Sequence, residues 1–138
     1  MRLYICFAFL SCLGISYVAG GTISRPTKTE DQEKAVELLI NRLLPGREKE
    51  FRIIVTPKHL SYSSLDSFEL QTVETGILQI TATSGTAASW GLNHYLKYFC
   101  KAHISWSGSQ LNISSPLPTI TKAINITSPS RLELYSVV

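Results

Sequence analysis

The sequence predicts an α+β domain, a two-layer α/β sandwich in which two helices cover a mainly antiparallel or mixed sheet of about five strands. Two segments with apolar residues at helical spacing flank short segments in which apolar and polar residues alternate. The 138 residues, of which 44% are hydrophobic and 17% charged, leave room for one such domain. This composition excludes a disordered or collagen-like chain.

Residues 1–20 are predicted to be a secretory signal peptide. The positively charged start at Met1-Arg2 precedes a mostly apolar run from Leu3 to Ile15, and Val18-Ala19-Gly20 offers small residues for cleavage. The alternative, a membrane anchor, needs about 20 apolar residues, and small or polar residues interrupt this run too early. Residues 21–29 carry no periodic pattern and are interpreted as a leader.

The first helix is predicted from about residue 30 to 44. Thr29 and Gln32 form a capping-box arrangement at its start. Pro45-Gly46 is expected to end it, because proline donates no backbone N–H and glycine accepts a left-handed turn. The apolar residues at helical spacing are Val36, Leu39, Ile40 and Leu43.

Three strands are predicted to follow this helix. Apolar residues alternate with other residues from Phe51 to Val55 in the first strand. The second strand begins at Phe68, the third runs through Leu78, and the turn Glu74-Thr75-Gly76 joins them as an antiparallel hairpin.

The second helix is predicted after Ser84-Gly85-Thr86, and two more strands follow at 103–106 and 110–113 around the turn Ser107-Gly108-Ser109. From residue 116 to 138 the chain is interpreted as an extended connector of the kind that links domains. The residues predicted to face the sheet from the second helix are Ala87, Ala88, Gly91, Leu92, Tyr95, Leu96 and Phe99.

Neither the charge distribution nor the motifs of the sequence indicate a binding groove for nucleic acid or a catalytic site. The 13 Lys and Arg residues are scattered and leave a net charge of +3, so a nucleic-acid groove is not expected. Ser84-Gly85-Thr86 could bind an anion, but a helix-capping turn is the favoured interpretation. Glu69 and Glu74 lie on the predicted sheet without the second carboxylate that glycoside hydrolysis needs.

No metal or cofactor site is predicted. The three histidines lie in different predicted elements, without the close spacing of metal ligands: His59, His94 and His103. Cys6 and Cys12 lie in the predicted signal peptide, so Cys100 remains as an unpaired thiol. It could be a buried inert thiol, an intermolecular partner or half of an incomplete bridge.

Asn112-Ile113-Ser114 and Asn125-Ile126-Thr127 are candidate N-glycosylation sites, in agreement with a protein of the secretory route. An aromatic-rich stretch could stack on sugars, although core packing is the favoured interpretation at this spacing. Its members are Trp90, Tyr95, Tyr98, Phe99 and Trp106.

The segment Gly85–Cys100, followed by His103–Leu111 and Pro116-Leu117-Pro118, resembles the amino-terminal domain of the alpha-N-acetylglucosaminidases. The likeness extends over about residues 30 to 131 and places the domain at residues 30–115. Many members have a second cysteine where this sequence has Ala102. The most specific part of the resemblance is Trp106-Ser107-Gly108-Ser109-Gln110, which are candidate barrel-packing residues.

The resemblance implies part of an enzyme. In the family, a following (β/α)8 barrel supplies two glutamates that act on terminal α-linked N-acetylglucosamine of heparan sulfate in the lysosome. Such a barrel takes about 250 residues, and this chain ends before it. The expectation is a truncated accessory domain in the lysosome or outside the cell, inactive alone, with the barrel of the same enzyme as its partner. The alternative is an independent secreted module that binds a glycan or a protein.

Overall fold

The structure is a computed structural model that describes residues 28–56 and 65–129. The predicted signal peptide, the start of the leader and His59 lie outside the described residues. No helix in the described ranges has the length and apolar character needed to cross a membrane. The elements are α1 (Thr29–Leu43), a single 3₁₀ turn (Glu48–Glu50), β1 (Phe51–Val55), β2 (Ser67–Glu74), β3 (Ile77–Ala82), α2 (Gly85–Tyr98), β4 (His103–Ser105), β5 (Gly108–Gln110) and β6 (Ile124–Thr127).

The main sheet is mixed and has the strand order β1-β3-β2-β6. Strand β1 runs parallel to β3, whereas β2 pairs antiparallel with both β3 and β6. Strands β4 and β5 form a separate two-stranded sheet. The predicted two-layer α+β class is confirmed, with four strands in the main sheet instead of about five.

The two helices cover one face of the main sheet, and α1 contacts β1 while α2 contacts the three longer strands. Strand alternation explains this arrangement, because every second residue of β3 is buried and the residues between are only half-buried. The core formed on this face includes Phe68, Leu70, Leu78, Ile80, Ala87, Ala88, Leu92, Tyr95 and Leu96.

Helix α2 approaches the sheet most closely at Gly91. A Cβ atom at this position would lie 3.1 Å from ring atoms of Phe68 and 3.2 Å from Cγ2 of Ile80. Both neighbours are 0% exposed, and the Phe68 ring packs edge-on against Trp90 with ring centroids 4.7 Å apart. The space beside Gly91 is therefore filled by groups that have nowhere to move.

Helix α1 buries Val36 and Ile40, as predicted, but it begins differently. The capping-box prediction is wrong, because Lys28 is the N-cap residue and makes no side-chain capping bond. The Gln32 side chain instead accepts a 2.7 Å hydrogen bond from the backbone N–H of Gly85 and ties α1 to the start of α2. Gly46, which follows the helix, has φ +81°, as expected for the residue that ends it.

The fourth and fifth predicted strands differ from the structure in place and partner. The two-residue turn is Trp106-Ser107, and β5 starts at Gly108, so the predicted strand at 110–113 and the turn centred on Gly108 are wrong. Gly108, the first residue of β5, has φ +148°, which a residue with a side chain rarely adopts. Ile113 then packs into the core instead of pairing in a strand.

Part of the predicted connector belongs to the domain. Leu117 and Ile120 are buried in the core, and Ile124–Thr127 form β6 at the edge of the main sheet. Ile124 and Ile126 pack against the core from the same face as their β2 partners. The domain therefore extends beyond residue 115, and the fold uses the chain as far as the end of the described part.

We expect Gly91→Val to lower the free energy of unfolding by about 1–3 kcal/mol, because its side chain must enter the space held by Phe68 and Ile80. The matched control is Asn93→Val on the exposed side of the same helix, since valine and asparagine have similar helix propensities. Urea denaturation measures both. Equal stability of the two variants would contradict this account of the helix contact.

Candidate functional site

The hairpin formed by β4 and β5 is exposed along both of its strands. Its cross-strand pairs are His103 with Gln110, Ile104 with Ser109 and Ser105 with Gly108. The Ser105 hydroxyl donates to the Gly108 carbonyl oxygen at 3.0 Å and also lies 3.0 Å from the Ser107 hydroxyl. These bonds stabilise a tight turn whose first residue, Trp106, is 87% exposed.

An apolar groove of about 270 Å³ lies between the two helices and reaches this hairpin. Ile104 of β4 closes one side of the groove and is 43% exposed. A partly open apolar groove and an exposed tryptophan are each typical of surfaces that contact another protein segment. The groove is lined by Leu39, Leu43, Ser89, Leu92, Asn93, Leu96 and Ile104.

Arg47 holds the chain that leaves the hairpin. Its guanidinium makes two bonds to the Glu50 carboxylate, at 2.9 and 2.6 Å. It also donates to the backbone carbonyls of Ile113 at 3.1 Å and Ser114 at 2.8 Å. The hydrogen bond to Glu50 raises the pKa of Arg47, so the group stays charged. The sequence offered no motif for this residue, since its partners lie far along the chain.

Two further bonds fix the segment that follows. The hydroxyl of Tyr95 donates to the Pro118 carbonyl at 2.6 Å, and the N–H of Ile120 donates to the Thr72 hydroxyl at 2.8 Å. Tyr95 is 0% exposed, and burial raises the pKa of its hydroxyl. Residues 113–120 are thus held at several points, although this stretch has no regular secondary structure.

Cys100 is a half-buried free thiol at the end of α2. Burial raises the pKa of this thiol, which favours the protonated and unreactive form. Ala102, two residues further along the chain, is buried. Of the three alternatives that the sequence left open, half-burial and a raised pKa favour the packed thiol.

The segment Ser84-Gly85-Thr86 is a capping turn. The Ser84 hydroxyl accepts from the N–H of Ala87 at 3.1 Å and donates to the Asp66 carboxylate at 2.9 Å. The N–H of Gly85 is already used by Gln32. The backbone donors of Gly85 and Ala87 are thus engaged within the domain, which agrees with the favoured interpretation.

The histidines and carboxylates form no metal-binding group among the described residues. His94 packs between the rings of Phe68 and Tyr98, with centroids 5.6 and 4.5 Å away, and His103 lies exposed on β4. Glu74 is 3.9 Å from Arg52 on an exposed part of the sheet.

The groove beside α1 contains Glu37 and Glu48. Backbone hydrogen bonds lower the pKa of Glu48, whereas the general acid of a glycosidase needs a raised pKa. The Glu48 carboxyl therefore does not have the electrostatics of a general acid.

The predicted aromatic and glycosylation residues divide into buried and exposed sets. Tyr95 belongs to the core, and Phe99 and Trp90 pack against it, whereas Tyr98 is 61% exposed and Trp106 still more. The two candidate glycosylation asparagines, Asn112 and Asn125, are both exposed.

The described residues form a small α+β domain with an exposed two-stranded hairpin. Residues 34–119 match the family model described as Alpha-N-acetylglucosaminidase (NAGLU) N-terminal domain. The chain therefore belongs to this family of glycoside hydrolase amino-terminal domains.

Among curated relatives, the chain is similar to alpha-N-acetylglucosaminidase of Homo sapiens, with 30% identity over 129 residues. This match covers 93% of the chain but 17% of the human protein. The fold is similar to that of a family 89 glycoside hydrolase from Clostridium perfringens in complex with PUGNAc, with a TM-score of 0.66 and 22% identity. A structure of that bacterial protein with GlcNAc-alpha-1,4-galactose gives a TM-score of 0.67 at 21% identity.

The structural matches cover 72% and 74% of the chain, and 11% of each bacterial chain. The chain thus spans less than a fifth of the length of these relatives. The resemblance predicted from the sequence is confirmed at the level of family and fold.

We expect Arg47→Lys to lower the free energy of unfolding by about 1–2 kcal/mol, because lysine cannot reproduce the two-pronged contact with Glu50. The matched control is Arg52→Lys, whose partner Glu74 is 3.9 Å away and largely exposed, so little is lost. Chemical denaturation of the two variants and the unmodified chain gives the midpoints to be compared. A larger effect at Arg52 than at Arg47 would contradict the assigned role.

Acid should weaken the domain through His94. Two causes lower the pKa of His94 in the folded state. The larger is its partial burial, and the smaller is the positive charge of the nearby Lys97. Below the ordinary histidine pKa of about 6.5, the unfolded chain therefore binds a proton more readily than the folded chain, and stability falls as pH falls from 7 towards 5. His94→Phe should make this decline smaller. Thermal unfolding midpoints of both proteins at pH 7 and pH 5 test this prediction. An equal loss of stability in the variant and the unmodified chain would show that His94 is not a cause.

Proposed function

We propose that this chain is the non-catalytic amino-terminal accessory domain of an alpha-N-acetylglucosaminidase. The observation that carries the proposal is the position of the family's most specific segment, Trp106 to Gln110, on an exposed hairpin outside the core. An exposed large aromatic side chain gains little in an isolated domain. It gains binding energy when a second surface covers it.

The partner in this proposal is the catalytic barrel of the same enzyme. The hairpin residues Trp106, Ser107, Gly108, Ser109 and Gln110 contact that barrel, together with the apolar groove beside Ile104. Arg47 and Tyr95 support this role indirectly, since they fix residues 113–118 and so hold the base of the hairpin. The complete enzyme removes α-linked N-acetylglucosamine from heparan sulfate, and the domain contributes structure to it.

The setting proposed for this activity is the secretory pathway, with the lysosome or the extracellular space as destination. The predicted signal peptide and the two glycosylation motifs support this setting. The half-buried Cys100 thiol suits such an oxidising compartment because burial limits its access to other thiols.

The test is a hybrid in which this chain replaces the matching amino-terminal segment of the human relative. The chain alone should not hydrolyse a chromogenic N-acetyl-α-glucosaminide, while the hybrid should be secreted and active. Trp106→Ala in the hybrid should lower the secreted amount severalfold, because a truncated hot-spot aromatic typically costs at least about 2 kcal/mol of binding. The kcat/KM of each folded molecule should not change.

The matched control is Leu38→Ala, which removes another exposed apolar side chain from the surface of α1. Equal secretion of the Trp106 variant and the unmodified hybrid would remove the hairpin from the proposed interface. Turnover by the chain alone, abolished by one side-chain change, would overturn the non-catalytic role.

A second candidate function is an independent binding module, and the exposed Tyr98 favours it. A groove of about 320 Å³ beside Tyr98 is lined by aromatic, amide and basic side chains. Such a mixture suits a sugar ring, which stacks on aromatic faces and hydrogen-bonds through its hydroxyls. The hybrid experiment separates the two functions, because an independent module gains nothing from attachment to the human catalytic portion.

A further inference from the structure

We propose that Asn112 and Asn125 carry N-linked glycans in the natural protein. Both asparagines begin an Asn-Ile-Ser or Asn-Ile-Thr segment, the pattern that the glycosylation machinery of the secretory pathway accepts. Sequence pattern alone is a weak signal, since such segments arise by chance. The structure adds an observation that both segments share.

In each segment the fold separates the middle residue from its two neighbours. Ile113 is 9% exposed and belongs to the core, whereas Asn112 and Ser114 are exposed. Ile126 likewise packs against the core, whereas Asn125 and Thr127 of β6 are exposed. Both side chains that the machinery must recognise, the amide and the hydroxyl, therefore stay accessible in the folded domain.

The surface around Asn125 suits a bulky polar group. Asn125 pairs with Glu69 of β2, and because Phe68 and Leu70 face the helices, this pair lies on the opposite face of the sheet. Most side chains on that face are polar or charged, with Ile54 of β1 and Ile77 of β3 as apolar exceptions, which is typical of a sheet face that remains in water. The polar and charged side chains include Arg52, Glu69, Gln71, Gln79 and Thr81.

The glycan at Asn125 would also protect the sheet edge. The opposite edge of the sheet is β1. There the side chain of Glu33 in α1 accepts a 2.7 Å hydrogen bond from the N–H of Val55, so a backbone group of this edge strand has a partner. Within residues 28–56 and 65–129, β6 pairs only with β2, so its outer side has no strand beside it. Unprotected edges of this kind allow sheets of different molecules to pair, and a sugar chain on the edge strand hinders that contact.

In the modification, the side-chain amide nitrogen of the asparagine bonds to C1 of an N-acetylglucosamine at the reducing end of a lipid-pyrophosphate-linked oligosaccharide. The bond between C1 and the pyrophosphate oxygen breaks. The amide nitrogen loses one proton, and the lipid pyrophosphate leaves with the electron pair of the broken bond. No atom changes its oxidation state, and the donor is the stated lipid-linked sugar.

The test uses the full chain in human cells, once with its own first twenty residues and once with a host signal peptide in their place. The host peptide makes entry into the secretory pathway independent of the signal-peptide prediction. Peptide mass spectrometry after glycan removal by an amidase, which converts modified asparagine to aspartate, should detect conversion at both positions. Asn112→Gln and Asn125→Gln should each abolish one of two mobility shifts, and the double variant should abolish both.

Thr127→Ala provides a second variant that keeps Asn125, and Thr127→Ser should retain the glycan. The matched control is Asn93→Gln, which changes an exposed asparagine outside any such motif and should leave both shifts in place. Unmodified peptide at either asparagine in the host-peptide product overturns the proposal for that residue. This readout is a mass and needs no catalytic portion, so it fails or succeeds separately from the hybrid experiment.

Discussion

Helix α2 can lie directly on the sheet because position 91 has no side chain, and much of the domain depends on this close contact. Phe68 and Ile80 occupy the space that a Cβ atom would need. The short distance brings Tyr95, one helical turn further along, deep enough to reach the Pro118 carbonyl. The contact between helix and sheet therefore also sets the position of the irregular segment that follows the hairpin.

Irregular backbone near the hairpin is fixed by side chains instead of by a strand ladder. Arg47 binds two carbonyls after β5, Tyr95 binds a third, and Thr72 accepts the N–H of Ile120. These bonds satisfy backbone groups that a sheet would otherwise pair. A rigid base of this kind reduces the conformational entropy lost when an exposed aromatic residue such as Trp106 is covered by a partner.

The sequence predicted both helices and the β2–β3 hairpin, because their periodicities are long and their stop signals at Pro45-Gly46 and Gly76 are strong. It could not predict that β1 pairs in parallel with β3, since strand order depends on contacts distant in the sequence. Strand β6 was missed because only Ile124 and Ile126 carry its alternating pattern, directly after a proline-rich stretch. The exposure of Trp106 could not be predicted either, because an aromatic residue close to an apolar one at strand spacing normally belongs to the core.

Strand β6 is synthesised after the other strands of the main sheet and completes that sheet. Strand β6 pairs with β2 more than fifty positions earlier, so the edge of β2 stays open until residue 127 has left the ribosome. During that interval the apolar face beside Phe68 and Leu70 lacks the two isoleucines that cover it. Chaperones that bind exposed strands would therefore find their target on this chain early in synthesis, and a product ended by a stop codon before Ile124 would display that edge permanently.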